Sequence, residues 1–198
     1  MCYNMDVEPE RHIFFYIWRY KIMKGIHKLG TVATKIVEIL YWASIAVVTV
    51  AIALVIIAPE GMNGLVYGIN IEGSETPLPI EDGKINIPFL LLAGLGAVLL
   101  STANALVFRN LHLIFKRSAN TTPFQKENVR LMRQIGLFTI SVPIIQLIMS
   151  ILLRVVTGVE DVEINLDLTN IVMGIIVLCL TQFFAHGVEL ENDVDGLV

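Results

Sequence analysis

The chain has 198 residues, of which 55% are hydrophobic and only 16% charged, with a formal net charge of −4 and a mean hydropathy of +0.71. A soluble domain carries about 25% charged residues, so this composition excludes an ordinary soluble globule. The apolar residues fall in long blocks, and blocks of about 18 or more read as bilayer-spanning helices.

Residues 1–10 are polar and acidic. Over residues 11–30, Phe15, Trp18, Ile22, Ile26 and Leu29 share one side of a helical wheel, and Lys21, Lys24, Lys28 and Lys35 share another, with Ile17 out of place on the basic side. The pattern predicts an amphipathic helix lying in the membrane interface, ahead of a first span at 36–58. The same cations serve as a basic leader that orients that span. No small-residue cleavage site follows the apolar block, so it reads as a retained anchor.

Pro59, Gly61 and Gly64 end the first span, and an acidic, turn-rich loop occupies 59–87. Within it, 65–71 and 84–87 look strand-like on either side of an Asp82-Gly83 turn signal. A second span follows at 88–108, where Gly94 and Gly96 permit close helix contact. The basic connector 109–134 comes next. Thr122 and Pro123 mark a helix start, and the helix runs from Phe124 into a third span at 135–153, which Pro143 should kink. A second acidic loop, 154–170, alternates Val162, Ile164, Leu166 and Leu168 with polar residues, a half-buried strand pattern. The fourth span is read at 168–185, and residues 186–198 form an acidic tail.

The expected architecture is an all-α integral membrane protein. It has a four-helix transmembrane bundle at 36–185, an interfacial N-terminal segment at 1–35 and small β-like loops on the outer side. Orientation follows the Lys and Arg of the flanking segments. Segments 1–35 and 109–134 hold six each of the 14 cations, whereas loops 59–87 and 154–170 hold only Lys84 and Arg154. This bias predicts a multi-pass protein of the cell (plasma) membrane with both termini and the 109–134 connector in the cytoplasm. The basic inner surface suits anionic lipid headgroups or an acidic protein face. Nothing in the motif pattern points to direct nucleic-acid binding.

Polar groups within the spans are costly and mark helix contacts or sites. Glu38, Ser101, Asn104, Gln146 and Gln182 form a candidate intramembrane polar cluster, for interhelical hydrogen bonding or, as the alternative function, for binding or transport of a small molecule or lipid. Catalytic signals are poor. His12, His27, His112 and His186 have no metal-ligand spacing with acids or cysteines, and no phosphate loop or nucleophile elbow occurs. Cys2 and Cys179 are placed for neither a disulfide nor a metal site. The expectation is a non-enzymatic protein without cofactor or metal, free to form oligomers.

Two segments carry more specific information: TPFQKENVRLMRQIG at 122–136 and FFAHGVELEND at 183–193. With the four-span plan they resemble the small prokaryotic membrane family known as domain of unknown function 2975. The tail here is shorter than the family's usual Gln- and Glu-rich end, and the aromatic leader at 11–20 falls outside the resemblance. The resemblance implies a four-helix membrane protein, often encoded beside a small helix-turn-helix regulator of the Cro/C1 type. A regulatory or sensory role then uses Phe124, Asn128, Arg130, Arg133 and Glu189 as the cytoplasmic partner-binding set, with Arg130 or Arg133 expected to pair with Glu189.

Overall fold

A computed structural model describes residues 8–57, 80–81, 84–118, 125–158 and 164–195. Four long helices dominate: α1 (Glu8–Ile57), α2 (Ile87–Ser118), α3 (Lys126–Thr157) and α4 (Leu168–Asp195). Each contains a stretch long and apolar enough to cross a bilayer, from His27–Ile57 in α1 to Leu168–Glu191 in α4. The chain is a multi-pass membrane protein. Its backbone polar groups are satisfied inside the helices, as hydrocarbon requires.

Local chemistry sets the helix ends. Asn86 caps α2, its Oδ1 accepting the Phe89 N–H at 3.1 Å. Pro88 is tolerated in the first turn, where an N–H has no intrahelical partner. Asp167 caps α4: its Oδ1 accepts the N–H groups of Thr169 and Asn170 at 3.0 and 3.3 Å. At the end of α3, Gly158 takes a left-handed conformation (φ 68°) and donates its N–H to the Arg154 carbonyl at 3.1 Å. Such a turn suits glycine because no Cβ opposes it.

Several expectations change. Residues 11–30 do not form a separate interfacial helix, because α1 continues unbroken from Glu8 to Ile57. Nothing between them stops a helix: Pro9 falls in the first turn, where an N–H has no intrahelical partner, and the two glycines, Gly25 and Gly30, cost little beside 50 residues of helix. Of the alternation at 162–168, residues 162–163 lie outside the described residues, and the rest is not a strand. Residues 164–167 are irregular, and Leu168 already opens α4. Residues 164–167 pair with no strand among the described residues, whereas Asp167 offers a cap immediately. Helix α3 begins at Lys126 rather than Phe124, with Gln125 extended at the N-cap position and no side-chain cap bond. Thr122, Pro123 and Phe124 lie outside the described residues, as do the strand-like 65–71. Asp82 and Gly83 lie outside the described residues, and on either side of them Ile80–Glu81 runs antiparallel to Lys84–Ile85. Pro143 is buried inside α3, and the helix runs through it without a break.

Packing is serial. Among the described residues, α1 packs on α2, α2 on α3 and α3 on α4, and no other helix pair shares a substantial contact. The buried apolar residues are correspondingly few and mostly small: Val55, Ala103, Ala105, Val142, Met149 and Val188. Large apolar side chains such as Ile36, Val47, Ile148, Ile176 and Phe183 face outward, as they do where lipid is the solvent. Small residues let the helices approach. A Cβ added at Gly94 would meet Ile52 of α1, and one at Gly96 would meet Met149 of α3.

Candidate functional site

The candidate site is the end of the row at which α2 turns back into α3. Antiparallel register there is set by polar pairs. Asn110 of α2 donates through Nδ2 to Gln134 Oε1 of α3 at 3.3 Å. Two turns further out, Asn128 Nδ2 of α3 donates to Ser118 Oγ of α2 at 3.4 Å. Gly96 against Met149 holds the same register deeper in the hairpin. From Gly96 to Ser118 is about 33 Å of helix in one continuous alignment. Asn128 is only 1% exposed, and Asn110 is also buried. Buried amides with side-chain partners fix one alignment, since sliding the helices would leave their polar groups unsatisfied.

Helix α1 joins the same end. His112 donates through Nδ1 to the Thr31 carbonyl at 3.1 Å, a bond that requires the Nδ1–H tautomer in the neutral ring. Phe115 lies edge-on to His27 with ring centroids 5.7 Å apart, and it covers Gly30 so closely that a Cβ there would stand 3.0 Å from the ring. Asn110, Gln134 and Ser118 were not singled out from the sequence, and His112 was weighed there only as a metal ligand. They sit in or beside the basic connector, where charges dominate the reading. The available signal was a set of uncharged polar residues at helical spacing on the apolar side of the basic stripe.

The outer faces carry the charge. Arg109, Lys116, Lys126, Arg130 and Arg133 are exposed. Lys126, Arg130 and Arg133 are spaced four and three apart and share one face of α3. Glu189 on α4 does not pair with Arg130 or Arg133 as expected. Its Oε2 lies 3.2 Å from His186 Nδ1, three residues earlier on the same helix. A pair within one turn needs no second helix to be ordered, which favours it over a contact across the row.

The five intraspan polar residues are dispersed. Glu38 is buried on α1 and accepts from Lys35 Nζ at 3.0 Å. Ser101 lies 3.3 Å from Ser44 Oγ across the α1–α2 contact. Asn104 donates to the Leu100 carbonyl of its own helix at 3.0 Å. Gln146 and Gln182 are exposed on α3 and α4. Among the described residues, no three His, Cys, Asp or Glu side chains gather as metal ligands would.

The glycine of the 122–136 segment has a packing role. A Cβ on Gly136 would stand 2.7 Å from Leu178 and 3.2 Å from the Gly174 carbonyl. A Cβ on Gly174 would collide with Ile140 and come within 3.0 Å of the Gly136 carbonyl. Helices α3 and α4 thus meet backbone to backbone. The model of the family described as "Protein of unknown function (DUF2975)" matches residues 75–198. The chain belongs to this family. The match takes in α2, α3, α4 and both of the segments at 122–136 and 183–193, and it leaves α1 outside. No curated protein and no solved structure matches the chain.

Proposed function

We propose that the protein is a non-enzymatic regulatory or sensory membrane protein that acts through the α2–α3 hairpin end and the neighbouring end of α4. On the positive-inside bias these ends face the cytoplasm. The observation that carries the reading is the continuation of the α2–α3 register past the apolar stretch, locked by Asn110–Gln134 and Asn128–Ser118. A connector that served only to turn the chain would need no such ties. Here they hold Lys126, Arg130 and Arg133 as a rigid basic stripe, a form suited to an acidic partner surface. A small cytoplasmic DNA-binding regulator is the partner proposed, in keeping with the gene neighbourhood that the family resemblance implies. Anionic headgroups would screen the same stripe when no partner is bound.

Copurification from mild detergent, with mass spectrometry of bound protein and lipid, tests the reading. Arg130→Glu with Arg133→Glu should remove a specifically bound protein while leaving helicity and thermal unfolding unchanged. Retention of the same partner by the double variant would overturn it.

A further inference from the structure

Among the described residues, the serial packing leaves α1 and α4 as the two lateral edges of the row, each packed substantially on one neighbour only. Their polar ends lie at the same end of the row, because Thr31 of α1 meets His112 of α2, and Leu178 of α4 covers Gly136 near the start of α3. The charges of these two ends are opposite. Helix α1 presents exposed Lys28 and Lys35, and α4 presents exposed Glu189 and Asp193. Residues 186–198 contain Glu189, Glu191, Asp193 and Asp195 and no Lys or Arg.

Depth and direction also agree. Lys28 lies about 12 Å before Ile36, where the apolar run of α1 begins, and Asp193 lies about 12 Å beyond Ala185, where that of α4 ends. Lys35 and Glu189 sit nearer the apolar boundary. Thr34 is buried against α2 and Thr181 against α3. At about 100° per residue, Lys28 and Lys35 lie roughly 100–120° onward from Thr34, and Glu189 and Asp193 roughly 80–120° onward from Thr181. Helix α1 runs away from this end and α4 runs towards it, so both rotations bring their stripes to the same face of the row.

We propose that α4 of one copy docks against α1 of a second copy, with Glu189 and Asp193 meeting Lys28 and Lys35. The flanking apolar faces, Ile36, Ile39 and Val47 on α1 and Val172, Ile176 and Phe183 on α4, pack below the charges. Charge selects this arrangement over its rivals, since α1 against α1 or α4 against α4 sets like charges together. A contact between unlike edges closes into rings when the rotation permits.

The test uses the full chain in lipid vesicles, with Cys2→Ser and Cys179→Ser as background. A chain carrying both Lys28→Cys and Asp193→Cys should form covalent dimers and larger species on mild oxidation, and neither single cysteine should do so. An intrachain bond alone, or equal crosslinking by the singles, would overturn the proposal. Energy transfer between labelled copies over a lipid-dilution series gives the second arm. Glu189→Lys with Asp193→Lys should weaken self-association by about tenfold, the scale of two exposed ion pairs lost and reversed. Adding Lys28→Glu and Lys35→Glu should restore most of it. Unchanged association in the first variant, or further weakening in the charge swap, would overturn it as well.

Discussion

The two ends of the helix row are built on different principles. At the α3–α4 contact, Gly136 and Gly174 bring backbone against backbone, with Ile140 and Leu178 filling the flanks. At the α1–α2 contact, side chains do the joining: Ser44 with Ser101, His112 with the Thr31 carbonyl, and Tyr41 stacked on Phe108 at 5.7 Å. Lipid tails are as apolar as leucine, so burying apolar surface gives little drive to helix association in a bilayer. Close backbone approach supplies many dispersion contacts, and scattered polar pairs supply few but directional ones. The first kind of contact resists added volume. The second gives way one bond at a time, although Gly30 under Phe115 and Gly94 under Ile52 leave little room for added side chains there as well.

The largest test of this contrast is Gly174→Val. The new side chain meets Ile140 and the Gly136 carbonyl. Overpacking should cost about 2–3 kcal/mol, read as a lowered unfolding midpoint in detergent or by steric trapping in bilayers. A smaller loss, about 1 kcal/mol, is expected for Asp167→Ala, which leaves the first N–H groups of α4 without their cap. That loss should appear as faster hydrogen exchange at Thr169 and Asn170, with the Gly136–Gly174 contact intact. In the α1–α2 half, a Ser44→Ala and Ser101→Ala cycle should give a coupling of about 0.6 kcal/mol. A serine coupling larger than the Gly174→Val effect would reverse the comparison. The smallest effect is expected for Arg133→Glu combined with Glu189→Arg. With Glu189 held by His186, the two changes should be additive in stability, and a clear positive coupling would restore the contact across α3 and α4.

The four spans were legible because hydrocarbon demands long apolar blocks, and those blocks survive any reading of local detail. Their extensions were not. Residues 109–118 and 186–195 are helical in the structure, yet they lack the apolar run that marks a span and read as connector and tail. Continuing a helix that has already begun adds a hydrogen bond per residue, so polar sequence follows where apolar sequence has nucleated. The strand reading failed over 164–168 for the opposite reason: alternation describes a surface, and no strand pairs with it among the described residues. Of the candidate residues, Asn128 proved central to the hairpin. Its partner Ser118 was missed because a lone serine beside Lys116 and Arg117 gives no signal until the hairpin register is known. Arg130 and Arg133 were named with the family resemblance, and the face they share with Lys126 follows once α3 is known to start at Lys126.

Serial packing also bears on how the chain is made. Among the described residues, every substantial helix contact joins a helix to the one before it, so each span meets its partner as soon as it leaves the ribosome and enters the bilayer. No helix waits for a distant segment, which keeps loop-closure costs small. The register-setting amides at Asn110 and Asn128 complete their bonds when the second hairpin strand of helix arrives, well before α4 exists. A nascent chain ending after α3 should therefore already hold its basic hairpin in final form, with the last helix added to a finished template.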